Sequence, residues 1–491
     1  MRNGHRITLL ISTLAALTHL TVVLASAQAA LTPPLSPEVR EYVKFADAVI
    51  VLAHVRVIDG TERDPRPDQT LIIRDGTIEA IGDATSTPIP PGAKVLDLTD
   101  YSVFPGFVGM HDHMFYPQPV NLAGQRARGV LQFEQQSSFS FPRLYLAAGV
   151  TSIRTTASVE PYADLNLKSW IDSGKIPGPK IHVTGPYLEG EGNFRLPVHE
   201  LRGPEDARRT VEFWADQGVT SFKAFTHITR AELLAVVDAA HKRGLTVTGH
   251  LCSITYAEAA ELGIDDIEHG FALATEFNSD KKPDICPPST EQSRSAFMAL
   301  TSETAQVRDL FKTLIQHHVA VTSTLPVIEA YSSDRPPLQQ RVLDVLSPQA
   351  QAGYLSQRLL QPNSRSLKKE MELERAFVKA GGTLLAGPDP TGIGGVVAGF
   401  GDQREVELLV EAGFTPVEAI HIATQNGARF LQEEQRIGTL APGKRADLVV
   451  VRGDPSSKIS DIEAVAIVFK DGIAYDPMKL IESVRGLVGL R

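Results

Sequence analysis

Eight short apolar segments, each separated from the next by helix-patterned or polar tracts, predict an α/β chain folded as a (β/α)8 TIM barrel. Strand-patterned stretches near both chain ends predict a small β-sandwich domain assembled from the two ends. Groups able to bind metals recur at the last residue or two of the apolar segments, where the active sites of such barrels are built. The expected boundaries are a signal peptide over 1–29, the first part of the β-domain over 30–104, the barrel over 105–435 and the rest of the β-domain over 436–491.

At the start, Arg2 and Arg6 precede the apolar run "ITLLISTLAALTHLTVVLASA", which closes on "ASAQAA". This is the pattern of a secretory signal cleaved after Ala27 or Ala29, and it places the mature protein in the periplasm or outside the cell. An uncleaved membrane anchor is the alternative, because the run is long for a signal. Next comes "VIVLAHVRVIDGTERDPRPDQTLIIRDGTIEAIGD", alternating Val and Ile with polar residues around "DG" turns, as short antiparallel strands do. "IGTLAPGKRADLVVVRGDPSS" and "AVAIVFKDGIAYD" repeat that pattern at the far end.

Between them lie the eight barrel candidates: "SVFPGFVGMHDH", "GVTSIRTT", "PKIHVTGP", "VTSFKAF", "LTVTGHL", "IDDIEHG", "VAVTSTLP" and "GTLLAGPD". Helical tracts such as "ITRAELLAVVDAAHKRG" separate them, so the strands should be parallel with crossover helices; a doubly wound open sheet is the alternative fold. The polar, Pro-containing segment Thr275 to Thr304 follows the sixth strand and is expected as a loop insertion over the barrel mouth.

The chain has 491 residues, 43% hydrophobic and 22% charged, as in ordinary globular proteins. A net charge of -10 without a basic cluster argues against a nucleic-acid partner. No transmembrane bundle is visible. Cys252 and Cys286 are too few for a disulfide scaffold, and composition leaves open whether they pair.

The strand ends carry the chemistry. In "GMHDH", His111 and His113 project from one face while Asp112 points away, which suggests a shared metal. Lys223 lies in "SFKAF" on the fourth strand, His250 ends the fifth in "TGHL", His269 the sixth in "IEHG", and Asp389 the eighth in "AGPDP". Six metal-competent groups at equivalent places are not a chance scatter. An ammonium in an apolar strand is costly, and burial lowers its pKa; the neutral amine of Lys223 can add carbon dioxide, giving a carbamate with two anionic oxygens. A structural salt bridge is the alternative for Lys223. His182, His227 and Tyr187 are further candidates for substrate contact, with His182 more naturally a core residue. The Gly-rich "DPTGIGGVVAGFG" lacks the context of a phosphate loop.

In "PGFVGMHDH", "SFKAF", "VTGHL", "IEHG", "AGPD" and the C-terminal "ATQNGARFLQEEQRIGTLAPGKRADLVVVRGDP", the chain resembles the amidohydrolase superfamily. It is most similar there to the imidazolonepropionase-like and Xaa-Pro dipeptidase-like hydrolases, which include ochratoxin-degrading amidases. The resemblance implies two divalent cations, usually Zn2+, with carboxylated Lys223 bridging them. His111, His113 and Asp389 would hold the more buried ion, and His250 and His269 the more exposed one. It further implies amide hydrolysis by a bridging hydroxide, with Asp389 moving the proton to the leaving amine. Small-molecule amides or dipeptides are the expected substrates and a homo-oligomer the expected assembly. Hydrolysis of cyclic amides or lactones, or a catalytically silent binding protein, are the alternatives. The sequence departs from the superfamily pattern at "LEGEGNF", where many relatives have a His, and at Pro388, where Thr or Ser is usual.

Overall fold

The computed structural model describes residues 34–119, 132–192, 198–336, 338–358, 365–390 and 395–489. The expected signal segment lies outside them. No helix among the described residues is long and apolar enough to cross a membrane.

All eight apolar segments form strands. In order they are Phe107–Asp112, Val150–Thr155, a third strand split into Lys180–His182 and Thr184–Leu188, Ser221–Ala224, Thr246–Gly249, Asp266–Glu268, Ala320–Ser323 and Leu384–Ala386. Each pairs in parallel with the next, an arrangement of TIM-barrel type. The ladder is not one continuous ring: it runs as a three-stranded and a six-stranded sheet that meet in the third strand. The break has a local cause, because Thr184 N donates to the Thr155 side-chain oxygen (3.0 Å) instead of a backbone carbonyl. At the other seam, Asp389 N donates to His111 O at 3.0 Å. Gly387 permits that approach: a Cβ there would lie 2.2 Å from His111 N.

The alternation of the strands divides the interior. Phe222, Val247, Ile267 and Val321 belong to the same hydrophobic core as the helix residues Leu233, Val236, Leu310, Leu314 and Phe377. Intervening positions carry Ser221, Lys223, Thr248, Asp266, Glu268 and Thr322, all buried. The barrel therefore has an apolar jacket between strands and helices and a polar centre. Helix starts are written locally, with reciprocal Thr–Glu capping at Thr229/Glu232, Thr255/Glu258 and Thr415/Glu418.

The chain ends share one β-structure, but not as two separately bonded layers. Strands Val43–Phe45, Ile473–Tyr475, Val465–Lys470, Leu448–Arg452, Tyr101–Pro105, Val49–Val57, Arg66–Arg74 and Thr77–Asp83 follow one another in a single sheet, with Lys94–Asp97 added to Val49–Val57 as the ninth. Nor is it wholly antiparallel: Val49–Val57 pairs in parallel with Lys94–Asp97 and Tyr101–Pro105. The sheet can stay in one piece because the central strands are covered on both faces. Ile50, Leu52 and Leu71 enter one core, while Val51, Ala53 and Ile72 enter another.

The segment after the sixth strand is partly helical, with a short turn at Thr275–Phe277 and a helix at Glu291–Ala299 capped by Thr290 and Ser293. Cys252 and Cys286 form a disulfide with a Cα–Cα distance of 4.9 Å, which ties this segment to the exit of the fifth strand.

Three buried carboxyls support the sixth and seventh strands from behind. Glu370 accepts from Phe271 N (2.6 Å), Glu374 from Ser323 Oγ (2.8 Å) and Glu405 from Leu325 N (2.9 Å). Among the described residues none has a cationic partner, and burial pushes Glu370 and Glu405 up to about 8 and Glu374 well above its ordinary value. Raised values mean that the neutral form stabilises the fold: its contribution is complete below the unfolded carboxyl range and lost as pH rises through about 8. In Glu405→Gln this dependence disappears at one site. The difference in Tm, variant minus parent, should therefore grow between pH 5 and pH 8, as read by scanning calorimetry.

Candidate metal centre

The structure brings the six predicted groups to one end of the barrel. Asp389 Oδ1 is 3.3 Å from His113 Nε2 and 3.6 Å from His111 Nε2, and Asp389 Oδ2 is 3.7 Å from His269 Nδ1. Lys223 Nζ stands 3.3 Å from His111 Nε2. The His250 ring is centred 4.9 Å from that of His269, and its Nδ1 faces Leu251 O at 3.2 Å, which leaves Nε2 for the centre. His111, His269 and Asp389 each offer an atom within 4.8 Å of the others.

Burial sets the protonation of this cluster. It lowers His111 and His250 to about 4, assisted in both by the Lys223 ammonium, and takes His269 well below the ordinary histidine range. Burial also lowers Lys223. Burial alone would raise Asp389, but the surrounding His111, His113 and His269 hold it below the usual carboxylate range. Neutral imidazoles beside an ionised carboxylate are the forms a metal binds. Asp389 Oδ1 and His113 Nδ1 are buried without a hydrogen-bond partner. Nitrogen and carboxylate-oxygen donors converging on one buried point fit a shared cation, and that donor set suits zinc.

Behind the donors lies a network that the sequence reading passed over. His111 Nδ1 donates to Glu268 Oε2 at 2.6 Å, which directs Nε2 inward. Arg154, on the second strand, donates to Glu268 (2.8 Å), Asp266 (2.7 Å) and Met110 O (2.9 Å). Thr248 and Thr322 complete the shell around the two acids. Although burial opposes it, His111 and Arg154 hold Glu268 far below its ordinary value, while burial and Glu268 push Asp266 up to about 7. The available signal was Arg154 itself: a lone cation in "VTSIRTT" invites the same question as Lys223.

The three other candidates separate. Tyr187 is buried beside the cluster, its ring centre 5.6 Å from Lys223 Nζ and 4.8 Å from the Phe225 ring centre. His227 stands at the rim, its side chain 30% exposed, with its N donating to Glu189 Oε1 (2.6 Å). Glu189, in the stretch "LEGEGNF", was not singled out from sequence. His182 is not brought to the cluster: burial and Lys180 lower it to about 4, and the other charges around it come from Glu433, Lys168 and Asp172.

Replacing the charge that orients His111 tests this network. In Glu268→Gln, zinc affinity measured by competition with a chromogenic chelator should fall by about 10- to 100-fold, the usual effect of removing an outer-shell carboxylate.

Comparisons with known proteins agree with this architecture. The solved structure of a Xaa-Pro dipeptidase with methionine bound in its active site superposes with a TM-score of 0.64 at 20% identity, over 87% of this chain and 100% of that one. The ochratoxinase of A. niger gives 0.61 at 19% identity, over 89% and 99%, and bottromycin amidohydrolase 0.64 at 21%, over 92% and 95%. Among curated sequences, adenine deaminase 2 of Jannaschia sp. (strain CCS1) is 35% identical over 80 residues, 16% of this chain. The match spans only 13% of that protein's length. The model of the amidohydrolase family matches residues 102–474, and the chain belongs to that family.

Proposed function

We propose that this protein is a metal-dependent hydrolase of amide bonds in small molecules, with dipeptides or N-acyl amino acids as substrates. The observation that carries this reading is the convergence of His111, His113, Lys223, His250, His269 and Asp389, with burial favouring the deprotonated forms of His111, His250, His269 and Lys223. The names of the structural neighbours, a dipeptidase, an ochratoxinase and an amidohydrolase, point to the same bond class.

In this reading His111, His113 and Asp389 would hold one cation and His250 and His269 a second, with Lys223, as a carbamate, contributing ligand oxygens. Divalent cations bound there would polarise the scissile carbonyl and lower the pKa of a water between them. The chain's own residues do the rest. Asp389 accepts a proton at its carboxylate and delivers it to the departing amine. Glu268 and Arg154 keep His111 in one tautomer and one rotamer. Tyr187 and Phe225 close the apolar side of the centre, and His227, held by Glu189, stands at the entrance where a substrate carboxylate would arrive. An exported, oxidising location accords with the Cys252–Cys286 disulfide.

Purified protein stripped with a chelator should lose hydrolysis of a dipeptide and N-acyl amino acid panel and regain it with zinc. Metal analysis should find two equivalents per chain; one tightly bound equivalent would overturn the two-ion arrangement. Lys223→Ala should lower kcat/KM by roughly 10³ or more, the scale of losing several kcal/mol of charge stabilisation. Full activity in that variant would remove Lys223 from the site.

A further inference from the structure

Two loops leave the metal cluster after His250 and His269, and both also wall a cavity of about 980 Å3. That volume encloses a sizeable organic group. Cys252 lies two residues beyond His250, and Ala272 lies three beyond His269. A chain advances at most about 3.8 Å per residue, so each wall begins within about 12 Å of the backbone of a cluster residue. One small molecule spans that distance.

The far wall is the helix Glu291–Ala299, which has no buried residue. A surface helix ordinarily packs its apolar stripe onto the body of the protein. Here Phe297 packs against the main core but stays half-buried, as does Met298, and both line the cavity together with Leu273, Phe277, Pro287 and Pro288. The disulfide clamps the start of this wall, placing Cys286 against Cys252. Arg294 and Glu291 at its edge pair with each other at 2.7 Å, so each charge has a partner within the wall.

We propose that this cavity receives a bulky apolar substituent, an aromatic ring or a long acyl chain, of the amide whose carbonyl is presented to the metal cluster. The proposal rests on the hydrolase reading above and narrows its substrate class. Burying such a group covers the apolar surface that Phe297 and Met298 leave exposed, and the gain is proportional to the apolar area covered.

The test compares N-acetyl, N-octanoyl and N-dodecanoyl derivatives of one amino acid, and dipeptides with Gly or Phe on either side of the bond, using zinc-loaded full-length protein. The bulky members should be preferred in kcat/KM. Phe297→Ser and Met298→Ser, both on a helix with no buried residue, should each reduce the ratio of bulky to small by about tenfold, the discrimination a few apolar contacts supply. A second readout, independent of catalysis, is fluorescence titration with 11-dansylaminoundecanoate, whose Kd should rise by a similar factor in both variants. Equal rates for bulky and small substrates, or a ratio and Kd unmoved by both substitutions, would overturn the proposal. Probe binding weakened by the substitutions, in a protein that hydrolyses no amide, would keep the cavity and discard the hydrolase reading.

Discussion

Arg154 and Glu268 meet inside the barrel with 1% and 0% of their side chains exposed, and the geometry of the candidate metal centre hangs on that pair. Glu268 shares its carboxylate between Arg154 and His111, so the second, sixth and first strands are tied by two hydrogen bonds. A buried ion pair adds little net stability compared with an apolar pair of equal shape, yet removing one partner costs about 3–5 kcal/mol because the other charge is left uncompensated. Such a pair is therefore strongly specifying. With Arg154 in place, the polar centre tolerates Glu268 ionised and Asp266 pushed up to about 7, and His111 is left with one tautomer that points Nε2 at Asp389 and Lys223.

Backbone conformation adds a second constraint. Leu251, His269 and Asp389, at or beside three strand exits, have φ of 54°, 67° and 52°, in the left-handed region that costs a residue with a side chain about 1–3 kcal/mol. Two of the three are held by hydrogen bonds with another strand or its exit. Asp389 N is bonded to His111 O, and His269 Nδ1 faces Thr324 Oγ1 at 3.0 Å. The strain turns a side chain out of its strand's alternation and toward the mouth. Strand periodicity alone would not have put His269 on the same side as Glu268's partners. The departure from regular geometry is the means by which consecutive residues Glu268 and His269 both serve the centre.

Much of the fold was legible because its signals are local. The eight apolar segments form mostly buried strand pieces of three to six residues bounded by Gly, Pro or polar turns, and the Thr-x-x-Glu caps at Thr229, Thr255 and Thr415 mark helix starts within four residues. The six candidate ligands were legible because side chains able to bind a metal recur at strand ends and so form a pattern along the chain. The route of the β-structure was not, since parallel pairing of Val49–Val57 with Tyr101–Pro105 depends on contacts between segments far apart in sequence. The network of Arg154, Asp266 and Glu268 was missed for the same reason: each looks like an isolated charge until the strands close on one another.

The amino-acid sequence by itself determined which residues become strands and helices and which side chains stand at the strand ends, because alternation, capping and turn chemistry act over a few residues. Tertiary structure decided which of those side chains share a point in space. It placed Tyr187 beside Lys223 and His182 among Lys180 and Glu433, joined Cys252 to Cys286, and set His227 against Glu189. These outcomes follow from how one strand registers against the next and from the charge balance of the closed interior, and both are properties of the packed chain that no short stretch of it contains.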